Sequence, residues 1–285
     1  MKNAFFIQKV YNFTNYIDVV TDPTMKKQFC ISTKELIGSI EENTNKSEND
    51  FKVGRIVVIT FSKFLIDYIK TRINLEEKEW FTPYHPYASN PVFQGLYEKK
   101  RISIIIPPMG ASPIATVGED LIYCGAKLIL LACGCWGIKN DISLYDFIIP
   151  SYAVGRDGTS IYYDRKPGQK IKIDEEIVDM VINETKKLTN SFYVGKNFSF
   201  EAFYRMKKEN ILKLQNSGYI SLENGELNVL ATLCKLNGIK FGALFYNYYN
   251  PLIGWKIPWL YDTYKKCINL QGEIILNIIN EYEFD

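Results

Sequence analysis

The chain has 285 residues, 47% of them hydrophobic and 23% charged, with a formal net charge of +2. That length is enough to bury a full core, as one large α/β domain or two small ones. The near-neutral balance leaves no footprint for nucleic acid or an anionic membrane surface, and no apolar run approaches the ~18 residues of a membrane span.

In chain order, Ser32-Thr33-Lys34-Glu35 has the composition of a helix cap before Leu36, and residues 41–50 (EENTNKSEND) read as a polar loop. Arg55–Thr60 (RIVVIT) is a β-branched run expected as a buried strand, and Phe61–Ile73 carries Phe64, Leu65, Tyr68 and Ile69 at helical spacing. Three prolines make Thr82–Val92 a loop. Val92–Tyr97 and Arg101–Ile106 read as paired strands across the charged turn Glu98-Lys99-Lys100.

Pro107–Pro113 is expected as a loop and Ile114–Gly125 as the helix after it. Lys127–Cys133 reads as a buried strand ending at Gly134-Cys135-Trp136-Gly137, and Asp146–Pro150 as the next strand. Asp174–Leu188 is helical in pattern, with Asp174, Glu175 and Glu176 at its positive end. Asn197–Tyr204 reads as a loop, followed by a basic amphipathic piece, Arg205–Leu214, whose lysines suit a solvated face. Ser217–Asn250 reads as a glycine turn, an acidic helix start, a helix stopped by Gly238, a short buried strand and a polar aromatic loop. Leu260–Ile279 is expected as a terminal helix.

Strands alternate with helices, the pattern of an α/β domain, and ligands of such sheets sit beyond the C-terminal strand ends. Residues 60–64, 107–113, 133–137, 197–204 and 246–250 are therefore the candidate site loops. The six cysteines are scattered, none has zinc-ligand spacing with a second pair behind it, and His85 is the only histidine. No metal and no cofactor are expected. Reduced thiols and the lack of a signal-like apolar run in MKNAFFIQKVYNF point to a cytoplasmic chain.

Within Ser217–Asn250, Glu226 stands in the first helical turn, twelve positions before Gly238. An acid there, facing a cleft, would grip a ligand hydroxyl. The alternative is that Glu223 and Glu226 only favour the helix dipole. The stretch resembles the nucleoside phosphorylase and nucleosidase superfamily, in which a Glu-Met-Glu opens such a helix and its second Glu holds the ribose hydroxyls. Glu226 matches that Glu, and Gly225 stands at the Met.

Other landmarks follow in order over roughly residues 54–250. Val92–Tyr97 with Arg101-Ile102-Ser103 is similar to the family hairpin. Pro108-Met109-Gly110 is similar to its glycine loop, Gly134–Gly137 to its Gly-Thr-Cys-Gly, and Asp157-Gly158-Thr159-Ser160 to the Asp-Gly-Ala-Ser of uridine phosphorylases. Ser199–Tyr204 resembles Ser-x-Asp-x-Phe-Tyr, whose Phe packs on the base.

The resemblance implies a single-domain three-layer α/β/α fold with a central mixed, partly barrel-like sheet over residues 51–285. An N-terminal extension, residues 1–50, is expected to pack on it. It also implies a homo-oligomer, and a nucleoside site of Met109, Gly110, Gly134, Trp136, Phe203, Tyr204, Gly225, Glu226 and Asn250, with Glu226 catalytic.

The departures fall on the phosphate site. Its Gly and Arg after the first strand become Thr60 and Phe64, a further Arg becomes Ala132, and its Ser or Thr becomes Cys135. A neighbouring subunit's Arg corresponds to Ala88. Lys63 or Arg156 would have to compensate. On the base side, the purine-protonating Asp corresponds to Tyr249, beside Asn250, and the uracil-reading Gln and Arg to Lys207 and Glu209. Three readings stay open: cleavage of an N-glycosidic bond by water or an atypical route, a non-catalytic nucleoside-binding scaffold, and a phosphorylase with a rearranged phosphate site.

Overall fold

The structure is a computed structural model that describes residues 31–81, 91–254 and 260–284. The expected loop at 82–92, His85, Ala88 and the first thirty residues of the expected extension lie, wholly or nearly so, outside the described residues. Contacts divide the chain into Met1–Ser32 and Thr33–Asp285; the second unit is the one described below.

The central sheet grows from β1 (Ile56–Thr60), whose five residues are all buried. Both of its faces are covered, which suits a continuous β-branched run. It pairs in parallel with β4 (Lys100–Ile105) and β5 (Leu128–Gly137). Beyond β4 lie β3 (Val92–Tyr97) and β2 (Glu76–Lys78), both antiparallel to their neighbours. The β3–β4 turn puts Glu98 and Lys99 at φ of 46° and 65°.

On the other side of β1 the sheet closes. β5 pairs with both β9 (Tyr219–Glu223) and β10 (Lys240–Tyr249), and β10, β6 (Phe147–Gly155), β8 (Phe192–Ser199) and β9 complete the ring. The sheet is thus mixed and partly a barrel of five strands, as expected from the resemblance. β7 (Ile171–Lys172) pairs with β6 outside the ring.

Helices cover both sides. One group is α1 (Thr33–Asn43), α4 (Ala111–Tyr123) and α7 (Glu226–Leu236); the other is α3 (Lys63–Lys70), α5 (Glu175–Leu188) and α8 (Asp262–Glu281). α7 is buried nearly all round, from Glu226 through Cys234. A helix with that profile is a core element, held by packing more than by its own propensity.

Several boundaries move. Residues 41–50 are not a plain loop: α1 runs to Asn43 and a short helix, α2 (Glu48–Phe51), follows. Its capping box is built by Ser47 and Asp50, whose carboxylate accepts the Ser47 N–H at 2.7 Å. Phe51 then stacks on Phe81 with ring centroids 4.8 Å apart. β5, β6 and β10 run well past their expected ends, so 133–137 and most of 246–250 are strand, not loop. β8 and β9 are absent from the pattern reading. A further helix, α6 (Lys208–Asn216), takes the basic amphipathic piece and buries only Ile211.

The missed strands have a common cause. In β8 and β9, Asn197 lies opposite Ser221 and Ser199 opposite Glu223, all buried inside the barrel. Polar side chains on an inner face erase the apolar alternation that marks a strand.

Candidate functional site

The ends of β1, β5, β9 and β10 and the starts of α4 and α7 surround a cleft of about 310 Å³. Phe61, Met109, Phe203, Leu222 and Asn224 line it, with Cys133, Gly134 and Cys135 from β5 and Tyr246 and Tyr248 from β10. Glu223, Glu226 and Tyr264 complete the lining. This is the position expected for a ligand of an α/β sheet. A larger open depression of about 420 Å³ lies at the other end of β10. There Lys172 and Lys240 are already paired with Glu175 and Glu176.

Two helix starts meet at the cleft. Gly110, at φ 112°, precedes α4, and its N–H donates to Glu226 Oε1 at 2.7 Å. Gly225, at φ 104°, precedes α7; a Cβ there would stand 2.8 Å from the Ala111 Cβ. Backbone geometry and lack of room both require glycine. The position that carries Met in the resemblance is therefore a structural joint between the two helices.

Glu226 is 3% exposed and Glu223 equally so, yet both reach the cleft wall. Glu223 Oε1 accepts from Ser199 Oγ and from Asn197 Nδ2, and its Oε2 from the Leu227 N–H at 3.2 Å. Burial, then the neighbouring charge of Glu226, holds its carboxyl well above the ordinary value of 4.5. Burial also pushes the Cys133 and Cys135 thiols well above 9.0, with carboxylates nearby adding to the effect. Both cysteines therefore stay protonated thiols and serve as neutral wall.

At the aromatic end, Trp136 stacks on Phe203 with centroids 4.2 Å apart and an interplanar angle of 27°. Its Nε1–H donates to the Tyr248 hydroxyl at 2.8 Å, and Tyr249 stands edge-on to it. A bulge shifts the β5–β10 register so that Trp136 pairs with Tyr249. Asn247 fixes that bulge: its Oδ1 accepts from Gly137 N–H and Tyr249 N–H. Gly134 has no room for a side chain, since a Cβ would lie 2.6 Å from Tyr248 Cδ1.

The expected site residues thus divide. Met109, Gly134, Cys135, Phe203 and Glu226 line the cleft, and Gly110 holds Glu226. Trp136 lies behind Phe203. Tyr204 is fully exposed and off the cleft wall, and Asn250 turns its Oδ1 to the Leu252 N–H. Thr60 is buried and accepts the Ser62 N–H, Ala132 is wholly buried in β5, and Phe64 is half-exposed and edge-on to Tyr264. Lys63 and Arg156, the cations expected to compensate, are exposed and do not line the cleft.

Glu223 and Tyr264 are not expected as cleft residues from the sequence, and Tyr246 and Tyr248 are covered only by the candidate loop 246–250. Tyr246 and Tyr248 follow from strand periodicity once β10 is known to continue past Phe245. Tyr264 comes from α8, through a packing that no local pattern encodes.

The family model of the phosphorylase superfamily matches residues 55–247, and the chain belongs to that superfamily. Among solved structures, the fold is similar to a uridine phosphorylase from Vibrio fischeri ES114, at 17% identity and a TM-score of 0.68. That match covers 81% of this chain and 93% of that one. It is also similar to a purine nucleoside phosphorylase from Toxoplasma gondii in complex with immucillin-H, at 17% identity and a TM-score of 0.69, covering 82% and 92%. No described helix is long and apolar enough to cross a membrane, and the described residues hold no cluster of three or more metal-ligating side chains.

Proposed function

We propose that the chain is a nucleoside-binding enzyme that cleaves the bond between ribose and base, with water as the attacking group. The observation that carries this is the Glu226 carboxylate, fixed by the Gly110 N–H in a cleft whose former phosphate positions are Thr60, Phe64, Ala132 and Cys135. A phosphate dianion in a dry cleft needs fixed cations or several convergent N–H donors. Neutral thiol, aryl and methyl groups supply neither.

In the proposed reaction, Glu226 accepts hydrogen bonds from the ribose hydroxyls. As the glycosidic C–N bond breaks, its electron pair goes to the base, which takes up a proton. The sugar then passes through an oxocarbenium-like state, which the nearby carboxylate stabilises more than it stabilises the ground state. Water closes the new C–O bond and releases its proton to solvent.

A nucleoside panel incubated with and without inorganic phosphate tests this. Phosphate-independent release of free base is expected, falling by about 10²-fold or more in Glu226→Gln. Release that requires phosphate would replace hydrolysis by phosphorolysis. A second reading, a nucleoside-binding scaffold without turnover, is favoured by Tyr249 standing where the resemblance places the acid that protonates the base. It predicts thermal stabilisation by a nucleoside with no base release.

The same reading takes the chain to be cytoplasmic and homo-oligomeric. Met109 and Phe64, apolar and exposed beside the cleft, support an oligomer. Light scattering on the purified protein decides its state.

A further inference from the structure

Glu223 closes β9 and Glu226 opens α7, so two carboxyls meet across a two-residue turn at the wall of one cleft. Among the described residues, none that packs on Glu223 carries an opposing charge. β8 presents Asn197 and Ser199, β5 presents Cys135, and α7 presents Glu226 and the Leu227 N–H. On the cavity side Cys133 and Tyr248 stand near Glu226. The donors reaching Glu223 divide unequally: Ser199 and Asn197 both take Oε1, as a carbonyl oxygen would require, while Oε2 takes only the Leu227 N–H, and the Glu226 side chain stands at hydrogen-bond reach of the same carboxyl. Two ionised carboxylates at hydrogen-bond separation in such a place repel strongly, whereas one proton between them makes a short, charge-assisted bond.

We propose that Glu223 is a positioning residue of the cleft, a protonated carboxylic acid whose O–H donates to Glu226 and aims that carboxylate at the ligand. The ligand half of this statement rests on the nucleoside reading above; the shared proton does not. Glu226 is then held from two sides, by the Gly110 N–H and by the Glu223 O–H. Glu226 lines the cleft, and its remaining lone pairs are left for hydrogen-bond donors there, such as sugar hydroxyls. Raising the pH until Glu223 ionises breaks this clamp, because the second charge repels the first and leaves Glu226 without its donor. Ligand affinity should therefore fall on the alkaline side, with Glu223 setting the midpoint.

The shared proton is read directly by NMR titration of protein carrying 13C at the glutamate side-chain carboxyls. One carboxyl is expected to stay protonated well above the ordinary 4.5. It should be missing from Glu223→Gln and move towards the ordinary value in Glu226→Gln, where the neighbouring charge is gone. Ordinary titration of every glutamate, or survival of the anomalous signal in Glu223→Gln, overturns the proposal.

A second arm measures affinity for whichever nucleoside the panel identifies. Glu223→Gln still donates a hydrogen bond to Glu226 and cannot ionise. It should bind within about threefold of the parent and lose the alkaline fall, while Glu223→Ala should bind at least ~10-fold more weakly. Equal affinities for the Gln and Ala variants, or an alkaline fall that persists in Glu223→Gln, count against the positioning role. If no nucleoside binds, the nucleoside reading fails while the NMR titration still decides the shared proton.

Discussion

The indole of Trp136 lies on one face of Phe203 and hangs by its N–H from Tyr248, so that face is covered by the protein itself while Phe203 still lines the cleft. A base that takes the Trp136 face of Phe203 must displace the indole. Such a pair contributes about 0.5–1.5 kcal/mol beyond its buried area, so opening it weakens binding by up to about tenfold. Trp136→Gly removes that cost and bares the ring. Nucleoside affinity measured by calorimetry should rise in this variant; an unchanged affinity would place the base away from that face of Phe203. Tryptophan emission gives an independent check, because a ligand that moves Trp136 changes it while one that occupies only the Glu226 end leaves it alone.

At the scale of elements, the α7 start decides the site. Gly225 stands at φ 104° with Ala111 of α4 against it, and α7 and α4 pack along their lengths. Gly225→Ala combines a left-handed backbone with a Cβ at 2.8 Å from another Cβ. A loss of roughly 2–4 kcal/mol is expected, read as a lower urea midpoint at unchanged slope. A loss below about 0.5 kcal/mol would mean that the two helix starts separate without strain. The helix itself was legible in the sequence, from Leu227, Leu230, Ala231 and Cys234 on one face and Gly238 at its end. Its partner strands were not: Asn197, Ser199, Ser221 and Glu223 are polar because they face one another inside the barrel, and that pairing is not local.

At the scale of the whole molecule, buried acids tie stability to pH. Asp120 on α4 accepts from the Thr33 hydroxyl at 2.7 Å, and burial pushes its carboxyl up to about 7 from 3.8. The folded state thus holds a proton that the unfolded chain releases. The resulting stability is complete below 3.8 and is lost as the pH rises through about 7. Glu223, also raised, acts in the same direction. Asp120→Asn should therefore flatten the fall of the melting temperature between about pH 4 and pH 7 and raise it at pH 8. An unchanged profile would show that Asp120 titrates alike in both states.

The sequence by itself determined the superfamily, the strand–helix alternation, the acid at the start of α7 and the neutral side chains of Thr60, Phe64, Ala132 and Cys135. These are properties of short stretches, carried by turn glycines, by β-branched runs and by the identity of single side chains. Only the tertiary structure decided what surrounds that acid. Closing the barrel through the β5–β10 pairing brings β9 against β5, sets Glu223 beside Glu226 with no described cation lining the cleft, and lays Trp136 over Phe203. Apart from Glu223 and Glu226, which a two-residue turn separates, those contacts join residues tens of positions apart. Their energy comes from burial and from hydrogen bonds made inside a low-dielectric ring, which no local pattern can express.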